Sequence, residues 1–236
     1  AINEGSETRQ VRNEGSRSAA TRAVLDAPPP PFDAPADGLD PRALAANLGK
    51  AIPKGALLTV GAGHFFSWIG MYTPLPDGVE IQYSYGFGAV GQGIGVAIGT
   101  GAGNPGRQHI AVEGDGSLMF NIQELETIVR HKMQMVLVVW NDTGYGAEVH
   151  KLVAKGFDEK LAQWESPDFV ALAKAFGGDG VKLSAASEIG GAVADGLRKG
   201  GLYLIDARVS PTTPTDPYAK VHFGIESKAP LLRPVA

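Results

Sequence analysis

The apolar positions of this chain fall into two patterns that alternate. Nearly unbroken apolar runs, Leu57-Leu58-Thr59-Val60, His109-Ile110-Ala111-Val112, Met135-Val136-Leu137-Val138-Val139-Trp140 and Leu202-Tyr203-Leu204-Ile205, read as strands buried on both faces. Glu80-Ile81-Gln82-Tyr83 reads as a further strand, and another lies near Val181. Segments of helical spacing separate them. Asp40-Pro41 opens a helix through Leu44 and Leu48 to about Lys50, with proline at its first position. Leu118, Ile122, Leu125 and Val129 share one face of a helix from Leu118 to His131, where His131 caps the carboxyl end. Ser166-Pro167-Asp168 predicts a helix from Phe169 to Phe176 with the serine as its cap, and Glu188 to Lys199 predicts the last one. Gly86 to Gly99 carries small residues at helical spacing and reads as a helix packed close to the sheet. A glycine inside a helix costs about 1 kcal/mol against alanine, so close packing or a ligand contact has to offset it. Tyr145 to about Glu165 reads as a loop. The alternation predicts a three-layer α/β/α domain with a mostly parallel sheet of about six strands.

That domain spans residues 39–210. Ahead of it, residues 1–38 form a polar tail and a linker. Ala1 to Asp26 is charged and lacks a period, and Ala27 to Pro35 is rich in proline and reads as a semi-rigid spacer. A spacer implies something on both sides, so the opening residues read as the end of a preceding domain, or the chain as one subunit of a split enzyme. A tag or a processed terminus is the plainer alternative. Residues 211–236 carry several prolines and read as an irregular tail. Hydrophobic residues make up 44% and charged residues 19%, the balance of a globular chain with a core. The absence of cysteine excludes disulfides, thiolate metal sites and a cysteine nucleophile. A net charge of −4 argues against a nucleic-acid partner. No stretch is long and apolar enough to suggest a membrane span and no signal-peptide pattern is seen, so the default expectation is cytoplasmic.

Two carboxylates carry the candidate chemistry. Asp115, in Glu113-Gly114-Asp115-Gly116-Ser117, and Asp142, in Asn141-Asp142-Thr143-Gly144, each follow an apolar strand, and a helical segment lies between them. Parallel strands joined by one helix end at the same edge of the sheet, the edge at which open α/β folds bind ligands. The pair therefore suits a hard cation carrying a phosphate: Asp115 and Asp142 as side-chain ligands, the bend at Thr143-Gly144 as a source of a backbone carbonyl, and phosphate oxygens and water completing an octahedron around Mg²⁺. Gly116 and Ser117 begin the next helix and turn their N–H groups toward a phosphate. Read alone, Gly-Asp-Gly is also an ordinary tight turn. A dinucleotide site lacks its third glycine here, and the Gly86 to Gly91 match follows no strong strand. Tyr145 and His150 stand just past the metal loop and could line a substrate pocket. His150 is the acid–base candidate because histidine titrates near neutrality, although a surface histidine on a loop fits the pattern equally. Trp68 and Trp140 read as core.

The full combination of Gly-Asp-Gly-Ser, helix, apolar strand and Asn-Asp resembles the thiamine-diphosphate motif. From about Leu39 to Val209 the chain resembles the diphosphate-binding domain of the enzymes that include acetohydroxyacid synthases, benzoylformate decarboxylases and pyruvate oxidases. Gly88-Ala89-Val90-Gly91, Gly63-His64-Phe65-Phe66-Ser67-Trp68 and Gln123-Glu124-Leu125-Glu126-Thr127 add to the likeness. The resemblance implies the thiamine-diphosphate-binding fold, with thiamine diphosphate and Mg²⁺ as cofactors. It implies Asp115, Asp142 and the Gly144 carbonyl on the metal, and Gly114, Gly116, Ser117 and the turn at Gly63-His64 around the diphosphate. Val90 becomes the apolar wedge that bends the cofactor, the Gly88 carbonyl the acceptor for its amino group, and Tyr145 a neighbour of the cofactor.

The sequence departs from the family at three places. Asp142 stands where asparagine is common, His64-Phe65 where glutamine and histidine are common, and Val90 where leucine or methionine is common. One part is missing: the family activates its cofactor with a glutamate from a pyrimidine-binding domain, and no segment here resembles one. Glu4, Glu7 and Glu14 lie in the polar tail and are not nominated. The resemblance implies a diphosphate-binding domain or subunit of a 2-oxo acid decarboxylase or carboligase, acetolactate-synthase-like, that works with a partner supplying that glutamate in a homo- or hetero-oligomer. The smaller subunit of a two-chain decarboxylase and a non-catalytic cofactor-binding domain are the alternatives.

Overall fold

The computed structural model describes residues 34–84 and 86–224. The opening tail and the linker up to Asp33, with Glu4, Glu7 and Glu14, lie outside the described residues, as does the tail from 225 on. Six strands run β1 Leu57–Val60, β2 Glu80–Tyr83, β3 His109–Gly114, β4 Met135–Asn141, β5 Asp179–Lys182 and β6 Leu202–Arg208. The helices are α1 Pro41–Ala51, α2 Phe65–Tyr72, α3 Gly93–Gly103, α4 Asp115–Met119, α5 Glu124–Arg130, α6 Gly146–Ala154, α7 Phe169–Ala175, α8 Ile189–Lys199 and α9 Asp216–Phe223. The strands form one sheet in the order β2-β1-β3-β4-β6-β5, and every pairing is parallel.

A parallel sheet needs both faces covered, and the central strand shows how the sequence meets that demand. Along β4, Val136, Val138 and Trp140 face one core with Leu44 and Leu48 of α1, Trp68 and Ile69 of α2, and Ile189 and Val193 of α8. Met135, Leu137 and Val139 face the other, with Ile94 and Ala97 of α3, Leu125 and Ile128 of α5, and Phe169 and Ala173 of α7. The strand side-chain period of two thus feeds two helix layers, and the fold is the three-layer α/β/α architecture that the alternation predicts.

The strand order positions the site. From β1 the chain moves outward to β2, then returns across β1 to β3. The helices that follow β1 and β3, α2 and then α4 with α5, pack in opposite cores. The loops leaving β1 and β3 therefore diverge, and a crevice opens above the carboxyl ends of the two strands. Such a switch point is where open α/β sheets take ligands.

Four element assignments differ from the sequence pattern. Gly86 to Gly99 is not one helix. Phe87, Gly88 and Gly91 take left-handed backbone conformations (φ of 69°, 64° and 89°), so a short 3₁₀ turn at Gly86–Gly88 precedes a helix that starts only at Gly93. The helix expected from Leu118 to His131 is two, α4 and α5, with a break at residues 120–123. The apolar face survives the break, because Leu118 and Leu125 are both buried in the same core. The segment read as a loop after Tyr145 holds α6 and a 3₁₀ turn at Glu159–Ala162. The tail read as irregular after Ser210 holds α9. His131 does stand at the carboxyl cap of α5, its N–H donating to the Thr127 carbonyl at 3.1 Å.

Candidate active site

A cavity of about 350 Å³ fills the crevice. Its walls are the turn after β1 (Gly61 to Phe66), the start of α4 (Gly114 to Ser117), the loop after β4 with the first turn of α6, the Gly88 and Val90 stretch, and Tyr218 of α9. Strand register explains the floor. Gly114 at the end of β3 pairs with Trp140 of β4, so the residues just beyond each strand arrive side by side. Asp115 and Asp142 do meet there, close enough for each carboxyl to act on the other.

Their electrostatics are those of two buried acids pressed against each other. Burial raises the Asp115 carboxyl to about 6, against the pull of the Gly116 and Gly144 backbone, the Ser166 hydroxyl and Asp142. Burial, and then the charge of Asp115, pushes Asp142 well above the ordinary carboxylate range. Neither carboxyl is ion-paired with a lysine or arginine among the described residues. Two buried carboxylates that face each other without a cation cost stability unless they share a proton or bind a metal.

The backbone around the pair is built to tight clearances. A side chain at Gly146 would run into the Asp142 carboxylate, and one at Gly116 would come within 2.8 Å of both Trp164 and Tyr145. Between Asp142 and Gly144, Thr143 sits at φ 61°, a left-handed conformation that costs a β-branched residue energy. The loop is braced from outside. Tyr145 N–H donates to the Ala162 carbonyl at 2.9 Å, and Trp164 N–H donates to the Thr143 carbonyl at 3.0 Å.

The sequence profile described as "Thiamine pyrophosphate enzyme, C-terminal TPP binding domain" matches residues 61–207, well over half of the chain. The chain belongs to this family. It is similar to acetolactate synthase of Bacillus subtilis (strain 168), 27% identical over 179 residues that cover 76% of this chain and 31% of that protein. It is also similar to chloroplastic acetolactate synthase 2 of Zea mays, 32% identical over 64% of this chain and 25% of the relative. The chain thus spans about a third or less of these relatives. In fold it matches the thiamine diphosphate-dependent 4-hydroxybenzoylformate decarboxylase of Rhodococcus jostii RHA1, with a TM-score of 0.69 at 23% identity, covering 78% of this chain and 35% of that one.

Within this TPP-binding domain the sequence-predicted residues come together unevenly. Gly63, His64, Gly88, Val90, Gly114, Asp115, Gly116, Ser117, Asp142, Gly144 and Tyr145 all line the cavity. Ser117 has a second duty: its hydroxyl accepts the Gly91 N–H at 2.7 Å, while Asn121 donates to the Gly91 carbonyl at 2.6 Å. These two bonds tie the Gly88–Val90 stretch to the Asp115 loop, and the helix break at residues 120–123 is what brings Asn121 there. Val90 is partly exposed, and Phe87, Met119 and Phe120 beside it are exposed apolar side chains.

His64 is committed largely to the protein. Its Nε2 accepts the Thr215 N–H at 3.1 Å, and its ring packs edge-on to His150 (4.8 Å) and Tyr218 (4.9 Å). Burial, aided by His150, holds its ring down at about 3, so it is neutral and only Nδ1 remains to meet a ligand.

His150 is a correction. It lies on α6, buried behind His64 rather than on a surface loop, and it does not line the cavity. Burial lowers it to about 4, which leaves it neutral near pH 7. The same helix instead sends Glu148 and Lys151 to the cavity, paired at 3.1 Å. Treating the segment as a loop hid the helical phase that separates those two from His150.

Two further residues escaped the sequence reading. Ser166 is no helix cap, since Asp168 caps α7 by accepting the Ala171 N–H at 2.8 Å. The Ser166 hydroxyl reaches Asp115 and Asn141 instead. Glu113 is buried against Gly61 and Gly93, where a side chain at either glycine would collide with its carboxyl. Burial raises it to about 7, and its Oε2 has no hydrogen-bond partner. Trp68 and Trp140 are core, as expected, although Trp140 also touches the cavity.

Proposed function

We propose that this chain is the diphosphate-binding domain of a thiamine-diphosphate-dependent 2-oxo acid decarboxylase or carboligase, acetolactate-synthase-like in type. The observation that carries the reading is the Asp115–Asp142 pair: two buried carboxyls, both raised in pKa, meeting at the switch point of the sheet without a cationic partner. Such a donor set fits a hard divalent ion such as Mg²⁺, which takes oxygen ligands and keeps phosphate oxygens among them. Asp115, Asp142 and the Gly144 carbonyl would hold the ion. Gly116, Ser117 and the Gly63-His64 turn would receive the diphosphate.

When bound, thiamine diphosphate supplies carbanion stabilisation for cleaving the bond next to the 2-oxo group. The chain's own residues supply placement. Val90 presents an apolar side chain at the cavity, on a stretch that Ser117 and Asn121 fix to the metal loop. The Gly88 carbonyl would accept the cofactor amino group. Tyr145 packs on Trp164 at 4.7 Å and closes the wall beside Gly116. The exposed apolar side chains Phe87, Val90, Met119 and Phe120 sit where a pyrimidine-binding companion carrying the activating glutamate would cover them. Assembly of this kind makes the working enzyme an oligomer.

The test is a substrate series on the chain combined with such a companion. Mg²⁺-dependent release of CO₂ from 2-oxo acids is the expected result, and acetolactate from pyruvate would place it on the ligase side. Aldehyde release without coupling would place it with simple decarboxylases, and no turnover of any 2-oxo acid would refute the reading.

A further inference from the structure

Ser166 lies in the segment before α7, on a stretch that the metal loop already holds by its backbone. Gly144 bridges to Gln163, and the Tyr145 and Thr143 backbones bond to Ala162 and Trp164. From this brace the Ser166 hydroxyl comes within 3.1 Å of Asp115 Oδ2 and 2.9 Å of Asn141 Oδ1. Asn141 is itself oriented, because its amide nitrogen donates to Asp206 Oδ1 at 2.9 Å. That leaves the amide oxygen facing Ser166 and the Thr143 N–H at 3.3 Å. A hydroxyl has one hydrogen, and here both neighbours present oxygens that accept. The Asp115 carboxylate is the stronger acceptor, and charge-assisted bonds are roughly twice as strong as neutral ones. The hydrogen therefore goes to Asp115, and the part-buried hydroxyl stands between that carboxylate and Asn141 of β4, whose amide Asp206 of β6 orients.

We propose that Ser166 is a positioning residue for the cation site: it holds Asp115 in the orientation that binds the metal, and the brace at residues 162–166 holds Ser166. The inference rests on the reading of Asp115 as a metal ligand. Carboxylate ligands are oriented by outer-shell hydrogen bonds, and losing such a partner costs roughly 10- to 100-fold in metal affinity.

The experiment is a titration of the 236-residue chain with Mn²⁺ in the presence of thiamine diphosphate, followed by electron paramagnetic resonance of the free ion. Wild type, Asp115→Asn, Ser166→Ala and Ser166→Thr are compared, with a metal-free thermal unfolding curve for each. Ser166→Ala is expected to weaken Mn²⁺ binding at least tenfold while unfolding within a few degrees of wild type. Ser166→Thr, which keeps the hydroxyl, is expected to retain most of the wild-type affinity. If Asp115→Asn loses binding but Ser166→Ala keeps it within twofold of wild type, the cation site stands and the role of Ser166 is overturned. If binding is weakened equally in the alanine and threonine variants, the side chain acts by packing and the proposal fails. If Asp115→Asn binds Mn²⁺ as wild type does, the metal-ligand reading falls and this inference falls with it.

Discussion

Replacing Asp115 with asparagine should stabilise the metal-free protein near neutral pH and abolish its cation site. The Asp115 carboxyl is raised from its ordinary 3.8 to about 6, chiefly by burial. At about 1.36 kcal/mol per pKa unit, keeping it ionised in the fold at pH 7 costs about 3 kcal/mol. The sign follows from proton counting. Between pH 3.8 and 6 the folded chain keeps a proton that the unfolded chain has lost, so stability falls as pH rises through that window. The side-chain amide introduced by Asp115→Asn would remove the charge and keep an oxygen for Ser166. Allowing about 1 kcal/mol for less favourable amide contacts leaves a loss of up to about 1 kcal/mol at pH 4 and a net gain of about 2 kcal/mol at pH 7.5. For a domain of this size, that is a rise of about 4–8 °C in midpoint. Thermal unfolding in chelator at both pH values, variant against wild type, measures it. The difference is the informative quantity, because His64, His109 and His150 add their own acid dependence to both curves and cancel. A variant less stable than wild type at pH 7.5, or shifted equally at both pH values, would refute the account of the pair.

Other consequences are simpler. Gly146→Ala places a methyl group against the Asp142 carboxylate, and Mg²⁺-dependent binding of thiamine diphosphate should fall at least tenfold in calorimetric titration. Tyr218→Phe removes the hydroxyl that donates to the Ala147 carbonyl at 2.7 Å, and should cost about 1 kcal/mol in urea unfolding by loosening α9 from α6. His64, His109 and His150 are held neutral by burial, at about 3, 4 and 4. Unfolding frees them to take up protons, so their contribution to stability is lost as pH falls from about 6.5 toward 4; because the buried carboxyls act in the opposite sense, it is read by difference, and His109→Gln should gain in urea midpoint relative to wild type as pH falls across that range.

The sheet and the carboxylate pair were legible because their signals are local and periodic. Met135 to Trp140 is apolar on both faces, and a strand of that kind has one home, the middle of a parallel sheet. Asp115 and Asp142 each sit one step past such a strand, so topology alone brings them together. What the sequence concealed depends on backbone conformation and on distant pairing. Phe87 adopts a left-handed φ without being glycine, and nothing in its identity announces the end of the expected helix. Ser166 stands before Pro167-Asp168, a pattern that favours a cap, but its hydroxyl is drawn to Asp115, 51 positions away in the chain. His150 and Glu148 exchange places once α6 exists, because the helix turns one toward His64 and the other toward the cavity. Tyr218 comes from a tail whose prolines disguised a helix that carries one of them in its first turn.

The central claim, that Asp115 and Asp142 hold a divalent ion for a diphosphate, is tested most directly by calorimetric titration of thiamine diphosphate into the chain with and without Mg²⁺. The account predicts binding that requires Mg²⁺ and that Asp115→Asn abolishes while the variant stays folded. Binding of equal strength without the metal, or in the variant, would contradict it.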